Sequence, residues 1–470
     1  MRASTIAAAV LGLVTLGVLF LPGGPASGRS LRMVVWGMPF EDRLFRDRYA
    51  REFEAANPGT TVEYIRASDV RTKYNAWAAR GIGAGVMRIE ATWYHDFAAR
   101  GLIEPLSARL RDPSRGLTAA QQAAFPPHLM RMLDIDGEIY ALPQDNAQYG
   151  LYYNKTIFDE WNTGNPDDPI EYPNAGWTWA DLRRAAAKLT RRSPGGVIEV
   201  AGFDAPVWAW TFMAYFAQAG GRLWSDDGHD CLIDSEAGVE ALAFLRAMQR
   251  EDRSYSPTIS GYLAGAGADA KFAGGRTAMY MDGCWRVPNF DATAPNLRYA
   301  VAPLPRGRVA AVPSGACLWA ISAYAPDKDA AWEFIRYLVS DEAAAAYWDA
   351  LRVAPPANLS FIASEEFRSA NGIRATDGSR GFDVPPLEVR DFGDKVAWLR
   401  AAYEIDPATG REPAFIHAHR FAADLQDSIT RMLVEYLKEG SALSERAALA
   451  DAARHMRHVM DRARSGARGD

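Results

Sequence analysis

The chain has 470 residues, of which 49% are hydrophobic, 11% aromatic and 23% charged. That balance excludes a wholly disordered chain, a collagen-like chain and a polytopic membrane protein. The formal net charge is -6 and no basic block is present, whereas a nucleic-acid binder shows a basic patch or stripe; no nucleic-acid partner is expected.

The first segment pairs a positive Arg2 with an uncharged apolar run from Ile6 to Leu21. That run is short of the roughly 20 residues that span a bilayer, and it suits the apolar region of a secretory signal. Pro22 to Gly28 breaks any helix, and the small Ala26 and Gly28 allow cleavage. Residues 1–28 are therefore expected to be a signal peptide or an N-terminal anchor, with the remainder working outside the cytoplasm.

Leu31 to Val35 then reads as a strand. Phe45, Tyr49 and Phe53 recur at i, i+4 and i+8 and place three rings on one helix face. Asn57-Pro58-Gly59 stops that helix, and Thr60 to Ile65 reads as a second strand. Strand, helix and strand over so short a span predict a βαβ unit. Another strand ends at Tyr152-Tyr153. Thr178 and Asp181 form a capping box for a helix carrying Leu182, Ala185, Ala186 and Leu189. Asp234 or Ser235 is placed to cap a helix with Val239, Leu242, Leu245 and Met248 inward. Trp332, Ile335, Leu338 and Val339 form an amphipathic face. Ser340 restarts a helix whose Asp341 and Glu342 favour its N-terminus. The last helix is expected over Ser441 to Met460, with Asp461 to Asp470 as a fraying tail. The pattern is α/β, in one or two closely joined lobes.

Sequence motifs of known chemistry are missing. There is no phosphate-cradling G-x-x-x-x-G-K-[ST], no H-E-x-x-H and no G-x-S-x-G. Gly81-Ile-Gly-Ala-Gly85 follows Ala79-Arg80 and no strand, so it makes a poor dinucleotide fingerprint. His417-x-His419 has no third ligand in view. No metal and no cofactor is expected. Cys231, Cys284 and Cys317 are far apart and form no CxxC. They read as small buried hydrophobes, with one intramolecular disulfide left open.

The aromatic content points elsewhere. There are 14 Trp and 19 Tyr. Trp36, Trp93, Trp208, Trp210 and Trp285 sit beside strand ends or turns, and Glu41, Asp145, Asn146 and Asp282 flank them. A single such ring is more often core than ligand contact. Together, aromatic faces with carboxylates and amides suit a polyhydroxylated ligand, whose C–H faces lie on the rings and whose hydroxyls donate to fixed acids.

Six blocks in order resemble the extracellular solute-binding proteins of ABC importers, the group that includes maltose-binding and glycerol-3-phosphate-binding proteins. The first is Val-Val-Trp36, then Glu52-Phe-Glu-Ala-Ala-Asn-Pro58-Gly and Thr61-Val-Glu. The second is Gly101-Leu-Ile-Glu-Pro-Leu106. The third is Gly137-Glu-Ile-Tyr-Ala-Leu-Pro143 with Tyr153-Asn154-Lys155 and Trp177-Thr-Trp179. The fourth is Gln218-Ala-Gly-Gly221. The fifth is Phe272-Ala-Gly-Gly-Arg-Thr-Ala-Met279 with Asp282-Gly-Cys-Trp285. The sixth is Ala302-Pro-Leu-Pro305, Ser314-Gly315 and Asp327-Lys-Asp-Ala-Ala-Trp-Glu-Phe334.

The resemblance implies a two-lobe α/β periplasmic-binding-protein fold of type II, with a hinge and a ligand cleft between lobes. Lobe 1 would comprise 29–142 plus 298–345, and lobe 2 would comprise 143–297 plus 346–470. Ligand stabilises the closed form, which docks on ABC permease subunits in the membrane; a monomer is expected. By position, Trp36, Glu41, Thr92 and Trp93 would face the cleft from the first lobe. Asp145, Asn146, Trp208, Trp210, Asp282 and Trp285 would face it from the second, with Trp285 stacking on the ligand. Ser314 and Gly315 match a small-residue strand end beside the cleft. Two departures stand out. The segment 351–440 is longer than the family implies and carries Phe382-Asp-Val-Pro-Pro and Asp391-Phe-Gly, and Ile89-Glu-Ala-Thr92 lacks the family's Pro-Asp. The absence of a lipid-acceptor Cys after the apolar run fits a periplasmic protein. The expected function is capture of a carbohydrate or related polyol for import, without catalysis. The alternatives are an exported glycoside hydrolase using Asp145 and Asp282, or a membrane-anchored sugar sensor on the same fold.

Overall fold

Alternation in β1 (Arg29–Val35) decides the first layer pair. Leu31, Met33 and Val35 point into one core and Val34 into the other, as a two-residue period requires. These observations come from a computed structural model that describes residues 29–37, 41–257, 267–351, 354–363, 398, 406–407, 409–416 and 418–466. The segment 1–28, the motifs at Phe382 and Asp391, His417 and residues 467–470 lie outside the described residues. Among the described residues, no helix is long and apolar enough to cross a membrane.

The predicted βαβ unit is present. A helix with wide turns, Arg43–Ala50, continues as Arg51–Ala56 and buries Phe45, Tyr49 and Phe53. β2 (Thr60–Arg66) then runs parallel to β1, with Leu31 opposite Val62. β3 (Val86–Glu90) lies parallel on the other side of β1. The strands that follow are β4 (Ala141–Pro143), β5 (Ala147–Asn154), β6 (Arg191–Arg192), β7 (Ile198–Asp204), β8 (Thr277–Gly283), β9 (Tyr299–Ala302), β10 (Val312–Gly315), β11 (Cys317–Ile321) and β12 (Ala414–Ile416). One sheet has the order β2-β1-β3-β11-β4. The other has the order β12-β10-β5-β8-β7-β6, with β9 also on β5. β8 is buried throughout and consists mostly of Ala278, Met279, Tyr280 and Met281, as a strand covered on both faces requires.

Two lobe boundaries differ from expectation. β9 and β10 pair with β5 and therefore belong to the second sheet, although 298–345 was expected in the first lobe. The chain returns to the first sheet only at Cys317. The expected boundary at 345 also falls inside the helix Asp341–Leu351. This helix sends Ala343, Ala346 and Tyr347 into the core under β1 that holds Leu31, and Ala344 and Trp348 into a core on the second sheet with Tyr152 and Tyr280.

The helix predictions mostly hold. Thr178 and Asp181 form the capping box, and Asp341 opens its helix beside Ser340. Ser235 occupies the N-cap position of Glu236–Arg246 but makes no side-chain bond there. The last helix is Glu445–Gly466 and so extends into the expected tail. Arg457 holds it there through Asp230, Asp234 and the Cys231 carbonyl. Cys231, Cys284 and Cys317 are all free thiols, the first two buried.

Trp319 on β11 is fully buried and meets Phe45 edge-on at 5.9 Å. Trp319→Ala should lower unfolding free energy by about 3–5 kcal/mol, read as a lower urea midpoint; an unchanged midpoint would show that this layer does not carry the first lobe.

Candidate functional site

The two sheets are joined by chain segments that cross side by side. The first is 143–147, the second 315–317 and the third 354–358. Gln144 N donates to Cys317 O at 2.8 Å, and Ala357 N donates to Gln144 O at 3.0 Å. Asn146 N donates to Pro355 O at 2.9 Å. Each crossing thus satisfies backbone groups of the next, as buried backbone must.

On the first-lobe side the crossing rests on Arg88 of β3. Its guanidinium is 2% exposed and such a charge is tolerated only when fully paired. Nε donates to Gln144 Oε1 at 2.8 Å, and Nη1 donates to Trp36 O at 2.9 Å and Glu41 Oε1 at 3.0 Å. Asp145 Oδ2 lies 3.6 Å from Nη2. The Trp36 ring lies against the guanidinium, 5.0 Å from its centroid. Asp145 Oδ1 accepts from Cys317 N at 2.9 Å and Oδ2 from Tyr347 OH at 3.0 Å. Burial pushes the Asp145 carboxyl up from its ordinary pKa, against the pull of Arg88. Glu90, at the end of β3 opposite Cys317, is likewise raised by burial; it accepts from Thr92 Oγ1 at 3.1 Å.

On the second-lobe side four rings make a wall. Trp208 and Trp210 are stacked, 5.3 Å apart at 7°. Trp285 meets Trp210 edge-on at 5.9 Å, and Tyr149 lies 5.4 Å from Trp210 and 5.9 Å from Trp285. Two glycines allow this packing. A Cβ at Gly315 would stand 2.6 Å from Trp210, and one at Gly283 would stand 2.2 Å from Trp285, closer than carbon atoms approach. Ser314 Oγ donates to Ala147 O at 2.9 Å and is 3.4 Å from Asn146 Oδ1.

The residues predicted from sequence thus fall into two groups that meet at the crossing. Trp36, Glu41 and Asp145 surround Arg88. Trp208, Trp210 and Trp285 form the wall, with Asn146, Ser314 and Gly315 at its edge. Thr92 is joined to the first group through Glu90. Trp93 stands apart, packed near Phe97 at 6.5 Å. Sequence reading expected Glu41, Asp145 and Asp282 to offer acceptor oxygens to a ligand, and here all three are turned to the protein. Asp282 is 0% exposed. Its Oδ2 accepts from Tyr280 OH at 2.5 Å and Arg286 Nε at 2.6 Å, and its Oδ1 accepts from Gly283 N at 2.7 Å. Arg88, Gln144, Tyr149 and Glu90 were missed. An arginine inside the apolar strand Val86-Met-Arg-Ile-Glu was the available signal, because a buried charge requires partners.

His419 is engaged through both nitrogens. Nε2 donates to Gly228 O at 3.1 Å and Nδ1 accepts from Phe421 N at 3.2 Å, with Trp224 stacked at 3.9 Å. Among the described residues no His, Cys, Asp and Glu cluster could hold a metal ion.

The family described as bacterial extracellular solute-binding protein matches this chain over residues 41–345. The chain belongs to that family. A maltotriose-binding protein of Pyrococcus abyssi is 22% identical over 329 residues, 66% of this chain and 63% of that protein; this chain thus spans less than two thirds of that relative. An ABC substrate-binding protein from Listeria monocytogenes, solved in complex with cycloalternan, superposes with a TM-score of 0.72 at 20% identity. That likeness covers 92% of this chain and 99% of that one. UgpB from Mycobacterium tuberculosis, solved in complex with glycerophosphocholine, gives 0.69 at 17% identity, over 91% and 98%. The two solved structures share the expected two-lobe α/β fold with this chain.

Two outcomes follow from the charges. Arg88→Met leaves Glu41 and Asp145 buried without their cation and should cost about 3–5 kcal/mol of stability, measured by denaturant unfolding; a cost near zero would show that water reaches the pair. Burial pushes His419 from 6.5 down to about 4. Between those values the unfolded chain binds a proton that the folded chain does not, so stability should fall as pH drops through that window. In His419→Gln this part of the acid slope should flatten, and an unchanged slope would remove His419 as its source.

Proposed function

We propose that the chain is the extracytoplasmic binding component of an ABC importer, and that it captures a neutral carbohydrate between its two lobes. The observation that carries this reading is the wall of Trp208, Trp210, Trp285 and Tyr149 set against a crossing of three chain segments. The half-buried rings of Trp208 and Trp285, backed by Trp210 and Tyr149, offer aromatic faces that suit the C–H faces of sugar rings. A crossing of short segments suits hinge closure, in which only the closed form contacts ligand from both sides. The polar groups left over also fit. Trp36 Nε1, Gln144 Nε2 and Trp210 Nε1 are buried and find no acceptor among the described residues. Such donors gain from the oxygens of a ligand, since an unmade buried hydrogen bond is costly.

Charge favours a neutral ligand over a phosphorylated one. Around the crossing, the guanidinium of Arg88 faces Glu41 and Asp145, and Arg71 acts with it on Glu90; three acids against two bases leave a local field that disfavours an anion. Maltotriose and cycloalternan, the ligands of two of the relatives, fit this preference, whereas the glycerophosphocholine of the third carries a phosphodiester. The enclosed positions of Asp145 and Asp282 support binding over glycoside hydrolysis, because a carboxyl pair must reach the scissile bond. Export to the periplasm, docking on permease subunits and a monomeric state belong to the same proposal. A membrane anchor at residues 1–28 is its variant, decided by the mass of the mature N-terminus.

The deciding experiment is the melting temperature of the purified protein against maltotriose, smaller sugars, polyols, glycerol 3-phosphate and glycerophosphocholine. A ligand binding only the folded state adds about 2.7 kcal/mol at one hundred times its Kd. A shift with sugars, without their consumption, is expected; a shift only with the phosphorylated compounds would overturn the neutral-ligand reading. Trp285→Ala should then weaken sugar binding by about 1–3 kcal/mol by calorimetry, and unchanged affinity would remove Trp285 from the site.

A further inference from the structure

Asp145 touches every crossing between the lobes. It lies in the first crossing. Its Oδ1 accepts the Cys317 amide of the second at 2.9 Å. Its backbone bridges to Pro356 in the third. Its Oδ2 accepts from Tyr347 OH at 3.0 Å, on the helix that leads into the third crossing and packs in both cores. Arg88 Nη2, fixed in the first sheet, stands 3.6 Å from the same oxygen. The side chain is 2% exposed, so its oxygens are turned to these partners and away from solvent.

A hinge closes by small backbone rotations in the segments that cross between bodies. A charged acceptor that holds the amide of one crossing and the hydroxyl beside another resists some of those rotations and permits others. Bonds to an ionised acceptor are about twice as strong as neutral ones, so they weigh in the balance between open and closed forms. That balance sets apparent affinity, because a ligand binds only the fraction that is competent.

We infer that Asp145 is a positioning residue that sets the open-to-closed equilibrium of the hinge and does not itself contact the ligand. The inference rests on closure between the lobes as proposed above, and it is independent of what the ligand is. Asp145→Asn keeps an acceptor and removes the charge. Tyr347→Phe removes a single hydroxyl from the same carboxylate and serves where the first variant fails to fold.

The test uses the full chain with fluorescent amino acids at two exposed positions, Thr72 in the first lobe and Val197 in the second. Interlobe distance distributions are recorded without ligand and then with maltotriose. Loss of a hydrogen bond to a charged group that differs between the two forms should change the open-to-closed ratio roughly tenfold. Both variants should therefore shift the ligand-free distribution, and the apparent Kd should move with it. A ligand-free distribution identical to the parent in the folded variants would overturn the inference. Weakened binding on that unchanged distribution would make Asp145 a ligand contact instead. If maltotriose fails to bind the parent, that counts against maltotriose as the ligand, and the ligand-free distances still decide the hinge.

Discussion

The buried guanidinium of Arg88 constrains the rest of the structure. It sits on a central strand, with Val86 on its own face and Met87 and Ile89 on the other. A charge in that place is stable only if every donor is met. The partners that meet it, Trp36 and Glu41 on one side and Gln144 and Asp145 on the other, come from two stretches about a hundred residues apart in the chain. Their convergence fixes the loop after β1, the start of the first long helix and the first passage between the sheets. A single residue therefore couples the packing of the first lobe to the geometry of the hinge.

From that constraint follows a division of labour. The acids that flank the tryptophans are used inside the protein. Glu41 and Asp145 balance Arg88, and Asp282 balances Arg286, which also pairs with Asp269 at 2.8 Å. Asp282 and Arg286 are four residues apart, so their pair pins the start of the helix that follows Trp285. What is left for a ligand is aromatic surface and indole or amide N–H. Under the proposed function, such a surface binds by shape and dispersion with few directional bonds and relies on closure to complete the contacts.

Much of the fold was legible in the chain. The spacing of Phe45, Tyr49 and Phe53, the stop at Asn57-Pro58-Gly59 and the Thr178 capping box are local signals, and local signals survive into the structure. Trp208, Trp210 and Trp285 were singled out in the sequence because they stand close to strand ends or turns, and the structure packs them together. The acids were misread for a different reason. An Asp beside a Trp looks the same in sequence whether it faces a cleft or an arginine brought from elsewhere in the chain. The fraying tail was misread similarly: nothing near Asp461 announces that Arg457 is anchored on Asp230 and Asp234.

The sequence by itself determined the α/β alternation, the order of the strands along the chain, the family and the set of aromatic residues available to a site. These depend on periodicity, turn chemistry and residue type, which act over a few neighbouring positions. Only the tertiary structure decided that β9 and β10 belong to the second sheet, that three segments cross side by side, and that Asp145 lies among them with both oxygens engaged. Those facts depend on contacts between residues as distant as Asp145 and Tyr347, or Arg88 and Glu41. A long-range contact is selected by the free energy of burying charge and apolar surface in the whole fold, and no local stretch of chain carries that quantity.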